Sequence, residues 1–270
     1  MTIECEESKI QEISENIVDL LKEFKNWGYR RDIDFHLYRI LMNLRKDTSK
    51  TLETLLKKEK NNEFIGLIYA TLIYWNMAQQ AAEIKEFSKF EQEIRKNKNL
   101  LLTLSNIRLH EIPDEKLLSI INKLGNIYEN LNLMKSNARL VSNAKTLHFL
   151  LPYLVMPMDN KYTKSYFSVR EDSKIYKGEK CKNPEHFLKI FKYSWEISKR
   201  IAKTIQEHEL MDNEWNQTIP KIIDNAVIQY KRNEDKDIYK LEKKLKTVKF
   251  EMEPELINRI LTYFKKKDPI

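Results

Sequence analysis

The sequence predicts an all-α protein, an irregular two-lobed helical bundle. Glycine occurs 4 times and proline 7 times in 270 residues, too few for the turns of a β-sandwich or the glycine-rich phosphate loops of most doubly wound α/β folds. Apolar residues recur at three- and four-residue spacing along most of the chain. Hydrophobic residues at 41% beside 33% charged residues, with a mean hydropathy of −0.61, describe helices that have one apolar and one heavily charged face, in a chain that folds in water.

Taken in order, Ile10, Ile13, Ile17, Leu20, Leu21 and Phe24 form one stripe of a helix from about Glu7 to Trp27, ended by Gly28. Helices follow over about 32–46 and 48–60. A segment apolar nearly all round, about 63–82, reads as a buried helix. Further helices are predicted over about 88–104, 113–130 and 139–151, with Pro113, Asp114 and Glu115 as a first turn. Residues 152–182 break the pattern at Pro152, Pro157 and Gly178. Asn183-Pro184-Glu185 then opens a long helix bearing Phe187, Ile190, Phe191, Trp195, Ile197, Ile201 and Ile205. Three more are expected near 217–232, 235–248 and 254–266. The division falls at about residue 134, giving an N-terminal lobe, 1–134, and a basic C-terminal lobe, 135–270.

The formal charge is +8 and the pI about 9.1, a balance that favours phosphate-bearing partners. It is regional. Residues 135–203 hold 15 Lys and Arg against six acids, so the remainder of the chain is nearly neutral. No acid occurs between Lys135 and Met158, and Tyr153, Tyr162, Tyr166, Phe167 and Tyr176 stand among the cations. Cations interleaved with aromatics suit phosphate neutralisation and base stacking. A lysine-rich chain that spreads cations over solvated helix faces gives the same count. The basic stretch 231–249 and Lys265 to Lys267 read as a second phosphate contact or as a solvated helix pair.

The run Asn143-Ala-Lys145-Thr-Leu-His148-Phe-Leu-Leu-Pro152-Tyr-Leu-Val-Met-Pro157-Met-Asp159-Asn-Lys-Tyr162-Thr163 reads least like scaffold. It resembles an uncharacterised family carrying the signature N-S-K-x-L-H-x-L-L-P-x-L-x-P-P-x-D-x-x-Y-T, with a W-x-M element earlier in the chain that Trp75-Asn76-Met77 matches. That resemblance supplies a site and no activity. A more distant resemblance, in the order of loop, lysine on the following helix and Pro-x-Asp, is to the helix-hairpin-helix DNA glycosylases. It implies Lys145 as an amine nucleophile toward a sugar C1′ and Asp159 as its electrostatic partner; the hairpin glycines of that superfamily are replaced here by Ser142, Asn143 and Ala144.

Lys145 reads equally as a phosphate contact or as the ion-pair partner of Asp159, and His148, on the same helical face, as a donor to phosphate or as a half-buried hydrogen-bonded residue. The candidate nucleic-acid-binding set is Asn143, Lys145, His148, Lys161, Tyr162, Lys164, Arg170 and Lys174, with Lys145 and Asp159 as the catalytic pair if there is one. Asp159 with Asp172-Ser173-Lys174 also imitates a magnesium nuclease pattern. No H-E-x-x-H, G-x-x-x-x-G-K-[ST] or G-x-S-x-G occurs, and Cys5 and Cys181 form no ligand set, so no metal or cofactor is implied.

The expected setting is the reducing cytoplasm, since no secretory signal or membrane span is read. The expected partner is nucleic acid, DNA ahead of RNA, engaged by a non-catalytic accessory subunit of a DNA repair or antiviral-defence complex. A glycosylase with lyase activity and a protein-binding helical adaptor are the alternatives.

Overall fold

The computed structural model describes residues 7–26, 33–57, 62–77, 83–136, 139–167 and 184–247. Among them the fold is all-α, with no strand beyond an isolated bridge between Ile84 and Met134. The helices are α1 (Glu7–Asn26), α2 (Ile33–Lys46), α3 (Leu52–Leu55), α4 (Glu63–Leu72), α5 (Phe87–Lys96), α6 (Lys98–Leu104), α7 (Asp114–Asn130), α8 (Leu140–Leu150), α9 (Thr163–Tyr166), α10 (Glu185–Glu207) and α11 (Ile219–Thr247). A π-helical turn, Ile73–Met77, continues α4, and a 3-10 turn, Leu109–Glu111, precedes α7. No helix among the described residues is long and apolar enough to cross a membrane.

The stripe of α1 is buried as its spacing predicts, from Ile10 to Phe24, against α10 and α11. Three side chains fasten that packing. Glu12 accepts the hydroxyls of Tyr230 on α11 and Tyr166 on α9, the latter at 3.0 Å, while Tyr166 also donates to the Lys9 carbonyl at 2.7 Å. Core residues on both sides of the expected division at 134 belong to one contiguous cluster running from Ile10 to Val227.

Several elements differ from the periodicity reading. Of the predicted helix 48–60, the described part, up to residue 57, holds only the short α3, because side chains take over its carbonyls: Asn62 Nδ2 donates to Leu55 and Lys57, and Arg95 donates to Leu56 and Lys57. Asn62 then turns round and caps α4 through Ile65 N–H at 3.0 Å. The predicted helix 88–104 is two, parted at the buried Asn97, whose amide bonds back to the Glu93 carbonyl. Conversely, 217–232 and 235–248 are one helix, α11. The helix expected near 254–266 lies outside the described residues.

Candidate functional site

Helix α8 carries the signature residues and is enclosed along its length, with Lys145 alone only half-buried. Its first turn is spent on the neighbouring helix. Asn143 is fully buried, and its amide donates to the carbonyls of Leu131 at 2.9 Å and Tyr128 at 3.2 Å. Arg139 donates to the Glu129 carbonyl at 3.1 Å. Together they supply donors to carbonyls at the C-terminus of α7, where the Tyr128 carbonyl has otherwise only a long bond from Leu131 N–H at 3.4 Å, and the guanidinium complements the negative end of the helix dipole. Asn143 therefore presents no group to a surface.

His148 is also fully buried. Its Nδ1 lies 2.7 Å from the Val155 carbonyl and must carry the proton, which leaves Nε2 to face the Tyr38 hydroxyl at 3.4 Å. Burial pushes its pKa down to about 3; the Val155 bond opposes that and Lys221 adds to it. The ring is neutral and clamps the Pro152 to Pro157 loop onto α8, so it cannot reach a phosphate from where it stands.

Asp159 ends that loop and opens α9. Its Oδ1 accepts Tyr162 N–H at 2.6 Å, and its own N–H donates to Thr163 Oγ1 at 3.2 Å. The D-x-x-Y-T end of the signature thus braces, from both ends, the turn that leads into α9. Lys161, Tyr162 and Lys164 follow on the outside: Lys161 is exposed, with Nζ 4.9 Å from the Tyr162 ring centre and 3.9 Å from Asp235. The Arg232 guanidinium sits 5.7 Å from the same ring. Arg170 and Lys174, and with them the Asp172-Ser173-Lys174 half of the nuclease pattern, lie outside the described residues.

Lys145 lies against a packed aromatic cluster, or chamber, of Trp75, Tyr38, His148 and Trp215. Its Nζ is 5.2 Å from the Trp75 ring centre, so the W-x-M element and the α8 signature meet in space. Tyr38 packs between the rings that bound the chamber, 6.0 Å from Trp75, 5.9 Å from His148 and 5.4 Å from Trp215. Behind Trp215 is a pair absent from the sequence-based set: Lys221 Nζ lies 2.5 Å from Asp224 Oδ2, both side chains buried, with Lys221 over the Trp215 ring at 5.4 Å. Burial holds the Lys145 ammonium below the ordinary lysine range. Asp159 and then Asp224 oppose that shift, and Lys221 reinforces it. Burial likewise pushes the Asp224 carboxyl up, against the pull of Lys221.

The structure therefore brings Lys145 and Asp159 into electrostatic reach without an ion pair, and sets His148 and Asn143 into the frame around them. Lys221 and Asp224 had one legible signal, two charges three apart within the apolar run Ile219 to Ile228.

Many cations of the basic segment have local carboxylates: Lys135 with Glu83 at 2.7 Å, Lys199 with Asp114 at 2.6 Å, Arg200 with Glu7 at 2.7 Å and Lys203 with Glu207 at 3.5 Å. Such exposed pairs are worth roughly 0–1 kcal/mol each and give way to a stronger anion. No group of His, Cys, Asp and Glu among the described residues is arranged to hold a metal ion. No family model, curated protein or solved structure matches the chain.

Proposed function

We propose that the chain binds nucleic acid, DNA ahead of RNA, on the face carrying Lys161, Tyr162 and Lys164, as an accessory subunit of a repair or antiviral-defence complex. The observation that carries this is the placement of Tyr162, a half-buried ring with the Lys161 ammonium 4.9 Å and the Arg232 guanidinium 5.7 Å from its centre. A ring flanked by cations offers a stacking surface for a base and charge for the phosphates on either side. The regional charge of residues 135–203 supports the same reading.

Fluorescence anisotropy with labelled single- and double-stranded DNA and RNA over a salt series tests it. Affinity is expected to fall linearly in log–log form with salt, and Lys161→Ala to blunt the slope by about one phosphate contact. Tyr162→Ala is expected to cost about 1–3 kcal/mol on single strands while Tyr162→Phe keeps most of the affinity. No binding at low salt would overturn the proposal.

A second reading has its own observation in Lys145, a half-buried amine over the Trp75 ring whose burial holds its pKa below the ordinary lysine range. It supports the glycosylase and lyase chemistry that the helix-hairpin-helix resemblance implies. The amine attacks C1′, the glycosidic bond breaks toward the departing base, and Asp159 offsets the positive charge that develops on the sugar. Borohydride trapping on abasic DNA decides it: a covalent adduct lost in Lys145→Ala sustains the enzyme, and none leaves Lys145 as part of a binding surface.

A further inference from the structure

A cavity of about 430 Å³ opens between the 3-10 turn before α7, the Pro152 to Pro157 loop, the end of α10 and the start of α11. Its volume falls within the roughly 300–1,000 Å³ of small-molecule sites. Ala202 and the buried Ile205, Ile219 and Pro220 give it an apolar lining. Polar groups share that lining. Arg108 is exposed, and its guanidinium lies 5.1 Å from the centre of the Tyr153 ring, on a loop held by the bond from Leu109 N–H to the Tyr153 carbonyl at 2.9 Å. Its contact with a carboxylate is loose, Nε to Glu111 Oε1 at 3.9 Å, and the guanidinium makes no hydrogen bond among the described residues. The same Glu111 oxygen is 3.6 Å from Nε2 of the half-buried His110. Gln206 and Glu209 also line the cavity, with side chains that have no hydrogen bond among the described residues. Glu209 holds a left-handed φ of 47°, a helix end where glycine is usual.

A guanidinium laid over a ring is oriented in advance and keeps its N–H fork for an anion such as a phosphate. The Glu209 carboxylate accepts N–H donors, and the Gln206 amide both accepts and donates. A ligand suited to this lining combines an anionic group, a flat body with apolar faces and N–H donors along one edge. A free amino acid meets the charges but is too small to fill the space. We infer that the cavity is a site for a nucleoside monophosphate unit, its phosphate on Arg108, its base against Ile205 and Ile219, and the N–H edge of the base on Gln206 and Glu209. Glu111, exposed and loosely paired, yields Arg108 to the phosphate. The site is separate from the Tyr162 face and does not rest on that reading, since Ile219 and Arg232 stand about 20 Å apart along α11 at 1.5 Å per residue. The same chemistry is carried by a free mononucleotide and by the phosphorylated end of a strand.

Calorimetric titration of the full-length protein with adenosine monophosphate and with adenosine tests it. The monophosphate is expected to bind saturably and adenosine about tenfold more weakly, the worth of a charge-assisted hydrogen bond to the phosphate. Arg108→Gln is expected to bring the monophosphate to the level of adenosine, and Ala202→Trp, which fills the cavity, to abolish both. A thermal melt accompanies each variant, and the exposed position of Arg108 keeps the test open should Ala202→Trp not fold. Displacement of the monophosphate by a 5′-phosphorylated oligonucleotide, and not by its 5′-hydroxyl counterpart, assigns the cavity to strand ends; displacement by neither assigns it to the free nucleotide. Equal displacement by both, or loss of monophosphate binding in Lys161→Ala, would put the nucleotide on the Tyr162 face and overturn the cavity site. No saturable binding, or binding that Arg108→Gln and Ala202→Trp leave unmoved, overturns it as well and leaves the Tyr162 reading standing.

Discussion

Asp159 and Thr163 hold one helical turn from both sides, the aspartate carboxylate receiving the N–H of Tyr162 and the aspartate N–H reaching the threonine hydroxyl. An aspartate that the sequence offers as a reacting group is thereby also the residue that holds the turn before α9. Its removal has two separable effects, on the turn and on the charge near Lys145.

Asp159→Asn keeps an acceptor of the same size for the Tyr162 N–H, and Asp159→Ala removes it. The alanine variant is expected to lose about 0.5–1.5 kcal/mol of stability, the net worth of one such hydrogen bond, with the asparagine variant close to wild type. Urea denaturation measures both. If both variants melt alike while nucleic-acid affinity collapses in both, the carboxylate belongs to the ligand rather than to the turn.

His148 makes stability depend on pH. An unfolded histidine titrates near 6.5 and the folded one near 3, so the unfolded chain takes up the proton first. The contribution is fully present above pH 6.5 and declines as pH falls toward 3, by about 1.4 kcal/mol per pH unit. The difference between wild type and His148→Gln in urea midpoint, followed from pH 7 to 5, isolates it. A flat difference would show the ring to be accessible to protons in the folded state.

Asn143→Leu is nearly isosteric and removes both amide donors from the Tyr128 and Leu131 carbonyls. Leaving buried carbonyls without partners costs on the order of 1–3 kcal/mol. Calorimetry is expected to show a lowered melting temperature with nucleic-acid binding per folded molecule unchanged. Binding lost at full stability would place Asn143 at the ligand.

Lys221→Met leaves Asp224 without its ammonium and is expected to destabilise by about 3–5 kcal/mol, whereas the double change Lys221→Met with Asp224→Leu is expected to regain most of that. Equilibrium unfolding of the three proteins gives the coupling directly. A double variant no more stable than the single one would mean that the chamber needs its polar groups for packing.

The sequence made the helices legible where one face is apolar and one charged: α1, α7 and α10 stand where their stripes put them, α7 and α10 starting just after Pro113 and Pro184 rather than on them. It made the signature legible as something other than scaffold, and the structure divides that signature into frame and chamber. Asn143 and His148 serve the frame, through carbonyls that local spacing cannot announce because they belong to Tyr128, Leu131 and Val155. The ends of α3 were illegible for the same reason, being set by Arg95 from another helix. The join of 217–232 to 235–248 was not legible, although Lys231 to Glu234 sit on one continuous helix. Asp224 and Lys221 escaped notice because burial, which gives them their chemistry, depends on Trp215 and Tyr38 arriving from elsewhere in the chain.

The bonds from Tyr166 and Tyr230 to Glu12 have a bearing on how the protein is made. Helix α1 presents Ile10, Ile13, Ile17, Leu21 and Phe24 to partners on α10 and α11 that are synthesised about 160 residues or more after it. At synthesis rates of about 5–20 residues per second the apolar stripe waits on the order of ten seconds or more uncovered. Truncation before α10 and α11 would therefore strand that stripe in water.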